Sequence, residues 1–316
     1  MRIGSLFSGA GGLDMAVEEV LGGSVAWNCE TDPAASALLN HHWSGIPNIG
    51  DVAAVDWARI EPVDVICGGF PCQDLSLAGK RAGLAGSRSG LWRHMREAVK
   101  LLRPQVVVVE NVLGLAASGA IDDVTANLVD LGYGVRWTIT SAASVAAPHR
   151  RRRVFIVATT GGTLAQRIPG DDGAPAGIKL LPTPEAKNSH AGQDFARSDR
   201  PGSGGDDLVT AIIKGHDSQW SQYEVAIQRW AQQIGRPAPH PTEPTSTGNP
   251  RINPEFPEWM MGWPAGWVTQ VPGVQDALFG DPAPAVDRAD QLKICGNGVV
   301  TRQAANAIRL LMEGAE

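Results

Sequence analysis

Cysteine is scarce in this chain: four residues among 316, Cys29, Cys67, Cys72 and Cys295, with no paired C-x-x-C spacing. Free thiols and no structural zinc or other metal site are therefore expected. Long apolar runs are missing as well. None approaches a membrane span or follows a basic amino-terminal stretch, so a soluble, cytoplasmic protein with no membrane partner is expected. Nor is there an excess of positive charge: 27 Lys and Arg stand against 33 Asp and Glu, a net charge of −6. That sum argues against a polyanionic partner, but local distribution matters more. Lys80, Arg81, Arg88, Arg93, Arg96, Lys100 and Arg103 share one segment with Glu97 as its only acid, and Arg150 to Arg153 form a second basic block.

What the chain does contain is 43% hydrophobic residues, enough for one large α/β domain and a smaller second one. The stretch from Val63 to Ser76 organises the rest. Val63 to Ile66 reads as a buried parallel strand, and Gly68-Gly69 frees the backbone to turn at its carboxyl end, where open α/β sheets hold ligands. Pro71 fixes its own φ and restricts Phe70, so the thiol of Cys72 is expected on a stiff turn as a candidate nucleophile.

Arg2 to Phe7 reads as a first strand, and Ser8-Gly9-Ala10-Gly11-Gly12 as a glycine-rich turn opening a helix from about Leu13 to Leu21. With Gly9 and Gly11 as the first two glycines of a dinucleotide fingerprint, the third should fall at position 14, where Asp14 stands. This disfavours a pyrophosphate cradle and a nicotinamide oxidoreductase. A cofactor without phosphates fits such a loop. Val25 to Cys29 forms a second strand ending in Glu30, where a carboxylate can accept hydrogen bonds from ribose hydroxyls. Val106 to Val109 is a buried strand ending in Glu110, which places that acid at the same sheet edge as Cys72. A helix from about Ile121 to Leu131 and an antiparallel strand pair near Gly134 to Thr140 and Val154 to Thr159 complete the α/β pattern. By strand alternation Arg151 and Arg153 should share a face. Gln73 to Leu91, rich in glycine, carries Lys80, Arg81 and Arg88 and reads as a loop able to close on phosphates.

Gly69-Phe70-Pro71-Cys72-Gln73, with Ser76 following, resembles the nucleophile motif of the DNA (cytosine-5)-methyltransferases. Further blocks of that family occur in its order. Phe7 to Gly12 with Leu13 resembles the S-adenosylmethionine loop (Phe7, Ser8, Gly9, Gly11, Gly12), Asp51-Val52 the adenine-contacting block, Ser89 to Trp92 the block whose Leu91 touches the cofactor, and Glu110-Asn111-Val112 the catalytic carboxylate block. The family's Gln-x-Arg-x-Arg block is present as His149-Arg150-Arg151-Arg152-Arg153, with His149 replacing glutamine. Its Gly-Asn-Ser-Val block is present as Gly296-Asn297-Gly298-Val299, with Asn297 retained and serine lost. The resemblance implies an S-adenosylmethionine-dependent methyltransferase fold, a doubly wound, mostly parallel sheet with a smaller target-recognition domain. It also implies transfer of a methyl group from S-adenosylmethionine, leaving S-adenosylhomocysteine, to carbon 5 of a flipped-out cytosine in double-stranded DNA, through a covalent Cys72 adduct at carbon 6. Glu110 would hold the N3 and amino edge, Arg153 and Arg151 the O2 side, and Gln73, Ser76, Lys80, Arg81 and Arg88 the DNA.

The expected organisation is a catalytic domain over residues 1–160, a target-recognition domain over 161–290 whose variable part is about 161–250, and a segment 291–316 returning to the first domain. In the variable part Leu208 to Lys214 and Tyr223 to Ile234 read as short helices, and beyond it Asn253 to Pro264 reads as another with a Trp/Met core stripe. A monomer is expected, with a cognate restriction endonuclease as a candidate partner. A transfer RNA cytosine-5 methyltransferase and a catalytically silent DNA-recognition protein are the alternatives. The length of the separate recognition region speaks against the first, and intact Cys72, Glu110 and Arg153 against the second.

Overall fold

The computed structural model describes residues 1–71, 90–161, 165–171, 173, 176–189, 206–214, 221–272 and 286–313. Its large sheet contains β1 (Arg2–Leu6), β2 (Ser24–Cys29), β3 (Val65–Gly68), β4 (Val106–Val112), β5 (Tyr133–Thr140), β6 (Arg153–Thr160) and β7 (Ala165–Arg167), in the order β2-β1-β3-β4-β6-β5-β7. β6 runs antiparallel to β4 and to β5, as expected for that pair, and the other pairings are parallel. The helices are α1 (Gly12–Leu21), α2 (Pro33–His42), α3 (Leu91–Leu102), α4 (Gly114–Ala117), α5 (Ala120–Asp130), α6 (Leu208–Lys214), α7 (Glu224–Ile234), α8 (Glu255–Met261), α9 (Arg288–Asn297) and α10 (Thr301–Met312). A two-stranded ribbon pairs β8 (Thr242–Pro244) with β9 (Pro250–Ile252).

The valine run of β4 shows why helices cover both faces. Val107 and Val109 point to one side, into a core with Ile66, Met95 and Val99 of α3, and Leu128 of α5. Val106 and Val108 point to the other, into a core with Ile3, Val17 of α1, and Ala304 and Ile308 of α10. Each buried valine contributes roughly 1.5 kcal/mol or more, and a strand apolar on both faces can gain this only between two helical layers.

Two expectations need correction. β3 begins and ends two residues later than the run Val63 to Ile66, so Gly68 lies in the strand and not in the turn. The reason is interstrand approach: a Cβ on Gly68 would lie 2.6 Å from the carbonyl oxygen of Leu6, its partner on β1. Second, α2 was not anticipated, although its start is marked. Asp32 caps it by accepting from the N–H groups of Ala34 and Ala35, 3.1 Å each, and Pro33 occupies the first helical position.

A further core gathers Trp230 of α7, Phe256, Trp259, Met260 and Met261 of α8, Trp263, and Leu208 and Ile212 of α6. The Trp/Met stripe is core, as its pattern suggested. That core also takes in Ala10 of the glycine turn and Leu38 of α2, so the carboxyl-terminal half packs directly against the loop at the end of β1. β7 extends the large sheet to Arg167, past position 160. Among the described residues no helix is long and apolar enough to cross a membrane, and no group of three His, Cys, Asp or Glu could hold a metal ion.

Candidate active site

From β1 the chain passes through α1 to β2 on one side, and later strands add on the other, so the order reverses between β1 and β3. Such a reversal opens a crevice at the carboxyl ends of the strands. A cavity of about 540 Å³ lies there, lined from the β1, β2, β3 and β4 ends and from α9 and the turn after it. This is an ordinary size for a cofactor site.

The glycine turn forms its floor. Phe7, with φ 54, and Gly9, with φ 55, adopt left-handed conformations that turn the chain sharply after β1. Glu30 fixes the turn: one carboxylate oxygen accepts from Gly9 N–H at 2.8 Å, and the other from Thr31 and Asp32 N–H, each at 2.8 Å. Phe7, Ser8, Gly9, Gly12, Leu13, Glu30, Asp51, Val52, Leu91 and Asn297, all expected around a cofactor, line the cavity together. Gly11 does not. Its left-handed backbone starts α1 on the outer side, where a Cβ would lie 2.4 Å from the ring of Trp43.

The expected catalytic groups divide. Glu110, 8% exposed, faces the cavity from β4, and Arg153 at the start of β6 meets it with Nε 3.0 Å from Oε1. Burial pushes the Glu110 carboxyl up, while Arg153 and then Arg151 pull it down. Gly69 leaves room for this acid, since a Cβ there would lie 3.1 Å from Glu110 Oε2. Asn111, beside Glu110 in the carboxylate block, acts as a positioning group: its side chain donates to Phe70 O at 3.0 Å and accepts from Val112 N–H at 2.8 Å, anchoring the strand-end turn that leads to residue 72. Cys72, Gln73, Ser76, Lys80, Arg81 and Arg88 lie outside the described residues.

Arg151 and Arg153 do not share a strand face. β6 starts only at Arg153, and Arg151, with φ 30, lies ahead of the strand, so the alternation does not extend to it. Its buried guanidinium donates to Pro184 O at 3.1 Å, Gly296 O at 3.1 Å and Gly298 O at 2.5 Å. Burial, with Arg153 nearby, pushes it down to about 9. Arg151 therefore holds the carboxyl end of α9, and so the turn carrying Asn297, against the sheet. His149, fully buried, does similar work with its ring Nε2 3.1 Å from Met260 O at the end of α8. Burial and the cationic Arg151 hold it neutral, down to about 3.

Two indoles anchor the chain around α9 and the glycine turn as well. Trp263 Nε1 donates to Val299 O at 3.0 Å, and Trp267 Nε1 donates to Ala10 O at 2.8 Å while its ring stacks on His42 at 3.5 Å. Glycine at 298 suits this packing, because a Cβ there would lie 2.4 Å from the Trp263 ring. Lys293 lines the cavity and bonds Asp32 at 2.5 Å, joining α9 to α2. Its place one helical turn before Asn297 is the sequence signal that would have marked it.

A mostly parallel α/β sheet with a crevice at its reversal point, a glycine turn and a carboxylate–guanidinium pair define a cofactor-dependent transferase fold of the methyltransferase type. The same fold occurs in the Dnmt2 methyltransferase of S. pombe, with TM-score 0.60 and 16% identity over 99% of this chain and 98% of that one. It occurs too in a putative DNA modification methyltransferase of an E. coli prophage, with TM-score 0.56 and 18% identity over 99% of each chain. The family model described as C-5 cytosine-specific DNA methylase matches residues 1–228, and the chain belongs to that family. Among its relatives are the type II methyltransferase M2.BsuMI of Bacillus subtilis, 34% identical over half of this chain, and M.HhaI of Haemophilus parahaemolyticus, 29% identical over half of it. The alignments span 42% and 48% of those two proteins' own lengths.

Proposed function

We propose that the protein methylates carbon 5 of cytosine in double-stranded DNA with S-adenosylmethionine as methyl donor. The observation that carries this reading is the Glu110–Arg153 pair, 3.0 Å apart in the wall of the cavity floored by the glycine turn and beside the Phe70-Pro71 lead into Cys72. The residues present fit such a cofactor. Phe7, Ser8 and Gly9 offer a close backbone approach without a phosphate cradle, Glu30 would hold a ribose, Asp51-Val52 and Leu91 would hold an adenine, and Asn297 lines the same cavity. When bound, S-adenosylmethionine supplies a methyl group on a positively charged sulfur.

Carbon 5 of cytosine is too weak a nucleophile to take that methyl group unaided. Addition of the Cys72 thiolate at carbon 6 makes the ring an enamine and carbon 5 nucleophilic. Glu110 binds the N3 and amino edge, and its upward-shifted carboxyl suits it to hold or share a proton as charge develops on the ring. Arg153 stabilises the O2 side. Arg151 supports the site through the turn at Gly296 to Gly298 and leaves direct contact to Arg153. Water acting as base near Asn111 or Pro71 takes the carbon-5 proton, and the carbon 6–sulfur bond breaks to release the Cys72 thiolate. Because the reacting carbons lie inside the duplex, the base is flipped out, at a cost of a few kcal/mol. Lys80, Arg81 and Arg88 hold phosphates, Gln73 and Ser76 complete the DNA-facing segment, and the region from about 161 to 250 selects the target sequence.

Bisulfite sequencing of DNA from cells expressing the chain tests this reading. The expected result is protected cytosines at one recurring sequence, absent with Cys72→Ser. Uniform conversion with the wild-type chain would refute it.

A further inference from the structure

Asp14 stands where a dinucleotide-binding loop would have its third glycine, and the reaction outlined above gives it no task. It lies in the first turn of α1 and in the wall of the cavity, 2% exposed. Its surroundings are poor in compensation. Cys67 of β3 offers only a thiol, its Sγ 3.9 Å from Oδ1, and the remaining oxygen, Oδ2, has no hydrogen-bond partner among the described residues. The groups facing it are the Ser5 hydroxyl on β1, the Cys67 thiol on β3 and Glu18 on its own helix. None is a cation.

A buried carboxylate with one bare oxygen and an acidic neighbour is costly to keep charged, and the amino-terminal end of α1 offsets this only in part. A cation brought into the cavity would offset the rest. We propose that Asp14 is the counter-charge for the cationic part of the cofactor, acting through the cavity wall on its ammonium or sulfonium group. This rests on the cofactor reading above and deepens it: the glycine turn takes the uncharged nucleoside, and Asp14 selects for the charged amino-acid portion. Without a ligand, burial pushes the carboxyl up to about 6. A nearby positive charge favours the ionised form, so binding near that pH expels a proton.

The test is calorimetric titration of the wild-type protein and Asp14→Asn with three ligands. S-adenosylmethionine carries both cations, S-adenosylhomocysteine only the ammonium, and methylthioadenosine neither. The substitution should weaken the first two by about tenfold or more and leave methylthioadenosine within about twofold. A larger loss for S-adenosylmethionine than for S-adenosylhomocysteine identifies the sulfonium as the partner, and equal losses identify the ammonium. Equal weakening of all three ligands, or of none, overturns the proposal and leaves the cofactor reading standing. Failure of the wild-type protein to bind any of the three overturns both. Should Asp14→Asn not fold, the wild-type protein still decides. Titrations near pH 6 in buffers of different ionisation enthalpy should show proton release with S-adenosylmethionine and none with methylthioadenosine, and equal release with both would overturn the proposal.

Discussion

One wall of the cavity is the edge of the sheet, and the other is a cover made from α9 and the turn after it, anchored by the tryptophans beyond α8. The sheet edge is built by rules that act locally. Valines buried on both faces place Glu110, and glycines at 68 and 69 let strands and side chains approach. The cover is held by side chains reaching carbonyls far away in sequence: Arg151 to Gly296 and Gly298, His149 to Met260, Trp263 to Val299, Trp267 to Ala10. In the proposed reaction the sheet edge carries the chemistry. The cover sets how firmly the site is closed.

That difference predicts two kinds of failure. Arg153→Ala should act chiefly on rate, lowering turnover by about 10²- to 10³-fold, because in the proposed reaction it removes a charge aimed at the ring. Arg151→Ala, two residues away, should act on stability. Two buried carbonyls and a partly buried one lose their donor, at about 3 kcal/mol or more, seen as a lower denaturation midpoint and weaker cofactor binding. Rate loss without destabilisation in Arg151→Ala would erase the distinction between the walls.

Asp14 of α1 is an acid in the cavity wall whose burial the fold bears without ligand. Its carboxyl is raised to about 6 from an ordinary value of 3.8, so the folded form holds a proton that the unfolded form has released. The stability gained from this group is complete below about pH 4 and is lost as pH rises through 6. The loss is on the order of 2 to 3 kcal/mol. Asp14→Asn should flatten that part of the pH–stability curve of the cofactor-free protein, and an unchanged slope between pH 4 and 6 would contradict its burial. The smallest effect belongs to the cover: Gly298→Ala should cost about 1 to 2 kcal/mol through overlap with the Trp263 ring, and Trp263→Phe should relieve part of it.

The same division explains what could be read from the sequence. The strand at Val106, the glycine turn, Glu30 and Glu110 follow from runs and punctuation a few residues long, and they stand together in the cavity. Arg151 was misplaced because alternation holds only inside a strand, and a left-handed residue ahead of β6 breaks it. Gly68 looked like a turn residue because the demand for a glycine came from Leu6 on another strand. Nothing near His149 announces Met260, whereas α2 had its Asp-Pro signal in plain view.

A covalent step at Cys72 is the core of the proposed reaction, and a mechanism-based trap puts it to the test. A fluorine at carbon 5 cannot leave as a cation, so a duplex carrying 5-fluorocytosine at the target should hold the protein after methyl transfer. The expected result is a denaturant-resistant adduct that forms only with S-adenosylmethionine, maps by mass spectrometry to Cys72 and vanishes in Cys72→Ser, whose hydroxyl is a far weaker nucleophile. An adduct on Cys29, Cys67 or Cys295, or wild-type methylation by Cys72→Ser, would contradict it.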